Sequence, residues 1–194
     1  MIAGLVLAAG LARRMGRPKL LLELGGKPLV RWSVEAVRPH VDELVVVTGP
    51  EPGPILAALG DLDVRVAVNP CPEAGQGASL AVGVAALAPA TRAVLLALGD
   101  QPRLPAAVIP ALLATWARTG KPIVAPRYRG VQAPPVLFAR EVFAELRALG
   151  GDAGARAVVV ADPARVEFVA VDHPAPADVD TPEDYARLAR EGFG

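Results

Sequence analysis

Three short, largely apolar runs constrain this chain more than any other feature: Ile2–Ala8, residues 43–49 and residues 93–99. A strand that is apolar throughout, not merely at alternate positions, is covered on both faces, and that is the signature of a parallel sheet. Helix-like stretches separate the runs. Residues 28–37 carry apolar side chains at Leu29, Trp32, Val34, Ala36 and Val37. Further helices are predicted over 55–59, 79–87 and 106–117, with strands over 64–68 and 123–125. This β-α-β-α alternation implies one α/β domain spanning 1–194, with a largely parallel sheet, helices on both faces and right-handed crossovers.

The last third changes rhythm. Pro134 and Pro135 precede a short strand over 136–138, and the prolines favour an edge strand or a strand start. A helix over 141–149 and a strand over 166–171 follow. The final helix starts at Thr181 as N-cap, with Pro182 in its first turn and Glu183 and Asp184 at the positive end of its dipole.

Composition narrows the function classes. The chain has 20 Lys and Arg against 20 Asp and Glu, so no broad basic field for nucleic acid is expected. The single cysteine, Cys71, excludes an internal disulfide framework and fits a reducing cytoplasm. No apolar run approaches the roughly 20 residues that span a bilayer. The opening apolar run has no charged segment before it, so it does not read as a signal peptide. A cytoplasmic protein without nucleic-acid or membrane partners is the expectation.

In an open parallel sheet, ligands bind outside the carboxyl ends of the strands. The first strand ends in a turn with Gly10 and Gly16 that carries Arg13, Arg14 and Lys19, a place where backbone N–H groups and cations can hold phosphates. The spacing is neither G-x-G-x-x-G nor G-x-x-x-x-G-K-[ST], and an ordinary joint with solvated arginines is the alternative. The third strand ends at Asn69 and is followed by Gly75-Gln76-Gly77-Ala78-Ser79. That turn suits either a nucleotide base or ribose, or a flexible loop with Ser79 capping the next helix. Asp100 follows a wholly apolar strand, where a carboxylate is costly unless a cation meets it. It is a candidate Mg²⁺ ligand, or an Asx-turn residue before Pro102. Asp180 is a second candidate ligand or a helix-start residue. His40 and His173 read as surface residues, and Cys71 as a small side chain without a catalytic partner. A cationic loop, a glycine-rich loop and two strand-end carboxylates suit nucleotidyl transfer, in which positioning and charge neutralisation supply most of the catalysis.

The motifs resemble those of the MobA/MocA-type molybdenum cofactor nucleotidyltransferases. Residues 7–19, LAAGLARRMGRPK, are similar to that family's opening motif. LLLELGGKPLV at 20–30, NP at 69–70 with GQGASL at 75–80, LGDQP at 98–102, GDAGAR at 151–156 and DVDTPED at 178–184 follow in the family's order. The resemblance implies a Rossmann-like three-layer α/β fold with one antiparallel strand. It also implies Mg²⁺ dependence and transfer of a nucleotide from CTP or GTP to molybdopterin. Carried over by position, Leu7, Ala8, Ala9 and Gly10 contact the nucleotide, with Asn69 and Gly77 in the second nucleotide loop. Arg14 and Lys19 hold phosphates, Ser79 lies by the base or ribose, and Asp100 and Asp180 hold the metal. A molybdoenzyme or its chaperone is the implied protein partner. Ala9 and the GQGAS turn are similar to the cytidylyl branch, and Ala12 to the guanylyl branch. Ala133-Pro134-Pro135 departs from the polar acceptor loop of relatives, which leaves Tyr128, Arg129 and Gln132 as acceptor contacts. It also keeps open a sugar-phosphate or isoprenoid-precursor phosphate as acceptor. A non-catalytic nucleotide or cofactor carrier is the reading from another class.

Overall fold

The computed structural model describes residues 1–10, 15–16 and 18–192. Its elements in chain order are β1 (Ile2–Ala8), β2 (Glu23–Leu24), β3 (Lys27–Pro28), α1 (Leu29–Val37), β4 (Glu43–Thr48), α2 (Gly53–Leu59) and β5 (Arg65–Val68). There follow α3 (Gln76–Ala85), β6 (Ala93–Leu98), α4 (Val108–Thr119), β7 (Ile123–Tyr128), β8 (Val131–Gln132) and β9 (Val136–Ala139). The chain closes with α5 (Phe143–Ala148), α6 (Arg156–Ala161), β10 (Val166–Val171) and α7 (Pro182–Glu191).

The main sheet has the order β10-β7-β9-β6-β1-β4-β5, with β8 added to β7. β1 pairs in parallel with β4 and β6, β4 with β5, and β10 with β7. β9 runs antiparallel to both neighbours, β6 and β7. This is the three-layer, mostly parallel arrangement expected from the alternation. The strand after Pro134 and Pro135 is not an edge, however. It lies inside the sheet, and the prolines precede its first paired residue, Val136, so their missing N–H groups fall outside the ladder.

Successive residues of each strand feed opposite cores. Leu5, with Leu80, Phe138 and Phe143, packs under α3 and α5. Val6, with Val34, Leu59 and Leu112, packs under α1, α2 and α4. A third cluster joins Leu24 and Leu29 to Val179 and Leu188, fastening α7 onto the β2–β3 hairpin.

The predicted elements recur with shifted bounds. α3 begins three residues before Ser79, with Gly75 rather than Ser79 at its N-cap. β7 continues to Tyr128. α6 and the two short hairpins carry too few periodic residues to be visible in the sequence. No helix among the described residues is long and apolar enough to cross a membrane.

Candidate active site

β1 has β4 on one side and β6 on the other, so the strand order reverses there and a crevice opens at the carboxyl ends. A cavity of about 420 Å³ occupies that edge. Leu7, Ala9, Gly10, Lys19, Ser79, Asp100 and Asp180 all line it. A second cavity of about 570 Å³, lined by Ala8, Ala9, Gly10 and Lys19 among others, opens beside it. Arg13, Arg14 and Ala12 lie outside the described residues.

The centre of the site is an ammonium held between two carboxylates. Lys19 opens a short 3₁₀ turn after Pro18 and is only 7% exposed. Its Nζ donates at 2.7 Å to Asp100 Oδ2 and at 2.7 Å to Asp180 Oδ1. Burial alone would lower its pKa. The charge and hydrogen bond of Asp100, then those of Asp180, outweigh that and raise it above the ordinary lysine value of 10.5. A lysine so placed stays charged.

Local structure explains each partner's position. Asp100 follows the last residues of β6, and its carbonyl accepts from the Val179 N–H at 3.1 Å. Asp180 immediately precedes a capping box at the start of α7. Thr181 Oγ1 accepts from the Asp184 N–H at 3.2 Å, and Asp184 Oδ2 accepts from the N–H groups of Thr181 at 3.0 Å and Asp180 at 3.2 Å. Gln101 is buried and donates through Nε2 to Asp178 Oδ1 at 2.8 Å, while its carbonyl accepts from Ser33 Oγ at 3.2 Å. These bonds tie α1, the end of β6 and the strap before α7 into one frame. Asp178 has a raised pKa, from burial of its carboxyl first and the charge of Asp100 second, against the opposing Gln101 hydrogen bond.

The glycine-rich turn is used differently from expectation. The Gly77 N–H donates to the Gly151 carbonyl at 3.0 Å, and a Cβ on Gly77 would sit 2.9 Å from Gly150 N. Gly75, at φ +95°, leaves so little room that a Cβ would overlap the Gly151 carbonyl. These glycines admit the 150–152 backbone, so Gly77 supports the cavity wall and does not line it. Asn69 is likewise spent on the frame. Its Nδ2 donates to Ser79 Oγ at 2.9 Å, and its Oδ1 accepts from the Cys71 N–H at 3.0 Å. Ser79 is therefore a cavity residue and not a helix cap.

Of the acceptor candidates, Tyr128 is buried in the core under α4, and its hydroxyl donates to the Pro134 carbonyl at 3.1 Å. Burial pushes its phenol well above the ordinary value of 10.0. At 1% exposure it does not face a substrate. Arg129 forms an exposed pair with Asp172 at 3.0 Å. Asp152, which carried no expectation of its own, lines the cavity because its loop rests on Gly75 and Gly77. Its signal in the sequence was the GDAGAR match, visible as a motif but not as a position in space.

Among the described residues, no group of three His, Cys, Asp or Glu could hold a metal by itself. The donors present, Asp100 and Asp180, are hard oxygen ligands meeting at one cation position. Two carboxylates completed by substrate phosphates and water are what Mg²⁺ or Mn²⁺ accepts, so the residues fit a divalent ion.

A switch-point crevice with a charged lysine and two carboxylates at its centre suits a nucleotidyltransferase-type site. The chain belongs to the family described as MobA-like NTP transferase domain, which its residues 4–178 match. It is 30% identical to the purine catabolism protein PucB of Bacillus subtilis, over 97% of this chain and 96% of that protein. It is also 30% identical to the molybdenum cofactor guanylyltransferase of Rhodobacter capsulatus, over 96% and 94%. Rv0371c from Mycobacterium tuberculosis superposes with a TM-score of 0.88 at 34% identity, covering 97% of each chain. The manganese complex of Rv0371c superposes at 0.83 with 32% identity, over 97% of this chain and 98% of that one. The protein is thus an enzyme of the nucleotidyltransferase class.

Proposed function

We propose that this enzyme transfers a nucleotidyl group, with CMP favoured, from a nucleoside triphosphate to the phosphate of molybdopterin and releases pyrophosphate. The observation that carries the reading is the Lys19 ammonium held between Asp100 and Asp180 at a nucleotide-sized cavity. An acceptor phosphate oxygen attacks the α-phosphorus, the bond from that phosphorus to the β-phosphate oxygen breaks, and pyrophosphate leaves. No covalent enzyme intermediate is needed.

Asp100 and Asp180 would hold a divalent ion, Mg²⁺ in this reading, in the place the Lys19 ammonium now takes between them, and the ion would neutralise charge on the phosphates to which Lys19 then turns. Lys19 and Arg14 hold the phosphates of the leaving group. The backbone at Leu7 to Gly10 receives the nucleotide. Ser79 Oγ accepts from Asn69 Nδ2, and in this reading its own O–H donates to the base. Ala9 is buried in the cavity wall with its methyl group, which narrows the space and favours a pyrimidine over a purine. That supports CTP. The relative named a molybdenum cofactor guanylyltransferase supports guanylyl transfer as the second reading.

The test is a crossed assay of CTP and GTP against molybdopterin, read as labelled pyrophosphate. Release from CTP that requires the acceptor is expected. Release from GTP alone would overturn the base preference, and none from either would overturn the acceptor.

A further inference from the structure

Asp152 lines the cavity, yet its carboxylate makes no hydrogen bond or ion pair with another described residue. Its place is nevertheless firmly set. The preceding carbonyl, of Gly151, accepts from the Gly77 N–H, and the Asp152 backbone N lies 2.8 Å from where a Cβ on Gly75 would be. Two residues without side chains are what lets this loop close on the turn before α3 and present Asp152 to the cavity. A carboxylate delivered by backbone-to-backbone packing and left without a partner among the described residues has its hydrogen-bonding capacity open to a ligand.

We propose that the Asp152 carboxylate accepts hydrogen bonds from the ribose hydroxyls of the bound nucleotide and so selects ribonucleotides over deoxyribonucleotides. This rests on the nucleotidyl-transfer reading of the same site. A carboxylate repels phosphate, and the cation for the phosphates is Lys19, on the 3₁₀ turn after Pro18. The buried polar group for the base is Ser79. Asp152 is exposed at the rim and can only accept, so it needs a neutral donor at the mouth of the site. The sugar hydroxyls supply one, and acidic side chains take ribose hydroxyls in other nucleotide folds by the same chemistry. A site built around such a hydroxyl rejects the analogue that lacks it, because the carboxylate is then left unpaired.

The experiment is equilibrium titration of the intact chain, without acceptor, by CTP, GTP and their 2′-deoxy forms in the presence of Mg²⁺. The unmodified protein is expected to bind the ribonucleotide about 10- to 100-fold more tightly, the range for a charge-assisted hydrogen bond. Asp152→Ala and Asp152→Asn should weaken only the ribonucleotide and bring the two forms within about threefold of each other. Glu73 is a second exposed carboxylate that lines the same cavity, and Glu73→Gln should leave the ratio intact. An unchanged ratio in both Asp152 variants overturns the inference, as does equal weakening of both forms or a ratio that moves only with Glu73. Absence of nucleotide binding by the unmodified protein would instead overturn the nucleotidyltransferase reading beneath it.

Discussion

Lys19→Met is the most informative perturbation, because methionine keeps the buried stem and removes only the charge. Asp100 and Asp180 would then face each other without the ammonium that each now meets at 2.7 Å. Removing one partner of a fully buried pair costs about 3–5 kcal/mol. The side chains of Asp100 and Asp180 are 19% and 33% exposed, so solvent offsets part of that, and about 2 kcal/mol is expected. For a chain of this length that lowers Tm by about 4–8 °C. The pH dependence has a definite sign. A lysine whose pKa is raised on folding contributes stability that is fully present below 10.5 and is lost as pH rises through the folded value. The gap in Tm between the unmodified protein and Lys19→Met should therefore be constant from neutral pH to about pH 10 and close above it. The same penalty should shrink in an Asp100→Asn background, since one of the two orphaned charges is gone. Mg²⁺ should restore part of the variant's stability by mass action, while turnover stays about 100- to 1,000-fold down. Thermal melts across pH, with and without Mg²⁺, and a pyrophosphate assay read all of this. A variant with unchanged Tm and full turnover would refute the argument.

Other outcomes follow from the same frame. Gly77→Ala forces a Cβ against the backbone of Gly150, with atoms at 2.9 to 3.0 Å that belong to no flexible side chain. A loss of about 1–3 kcal/mol in denaturant melts is expected. Asp178→Asn removes a carboxylate whose pKa is raised by burial and by Asp100. It should raise Tm at neutral pH, with the gain vanishing as pH falls below the ordinary value of 3.8, where the carboxyl is protonated in both states. Asp184→Ala breaks the capping box and frees the Asp180 N–H. About 1 kcal/mol of stability should be lost, together with weaker Mg²⁺ binding in a direct titration, and unchanged Mg²⁺ affinity would separate the cap from the site.

The layers were legible in the chain alone, and so was the set of polar residues at the sheet edge. Continuous apolar strands require cover on both faces, so β1, β4 and β6 had to be central, and the residues after them had to meet at one end. The cap at Thr181 was equally legible, because its hydrogen bonds span only three residues. What the sequence did not hold was every relation across long separations. Lys19 meets Asp100 and Asp180 across 81 and 161 residues, and nothing local in the chain signals that one lysine bridges both carboxylates. The prolines before β9 marked a strand start, but only the pairing with β6 and β7 put that strand inside the sheet. Tyr128 looked available until the core under α4 closed over it. Gly75 and Gly77 were legible as places for close backbone approach. That the approaching backbone is Gly151, bringing Asp152 with it, was decided by tertiary packing, because a missing side chain marks where something fits and not what fills it.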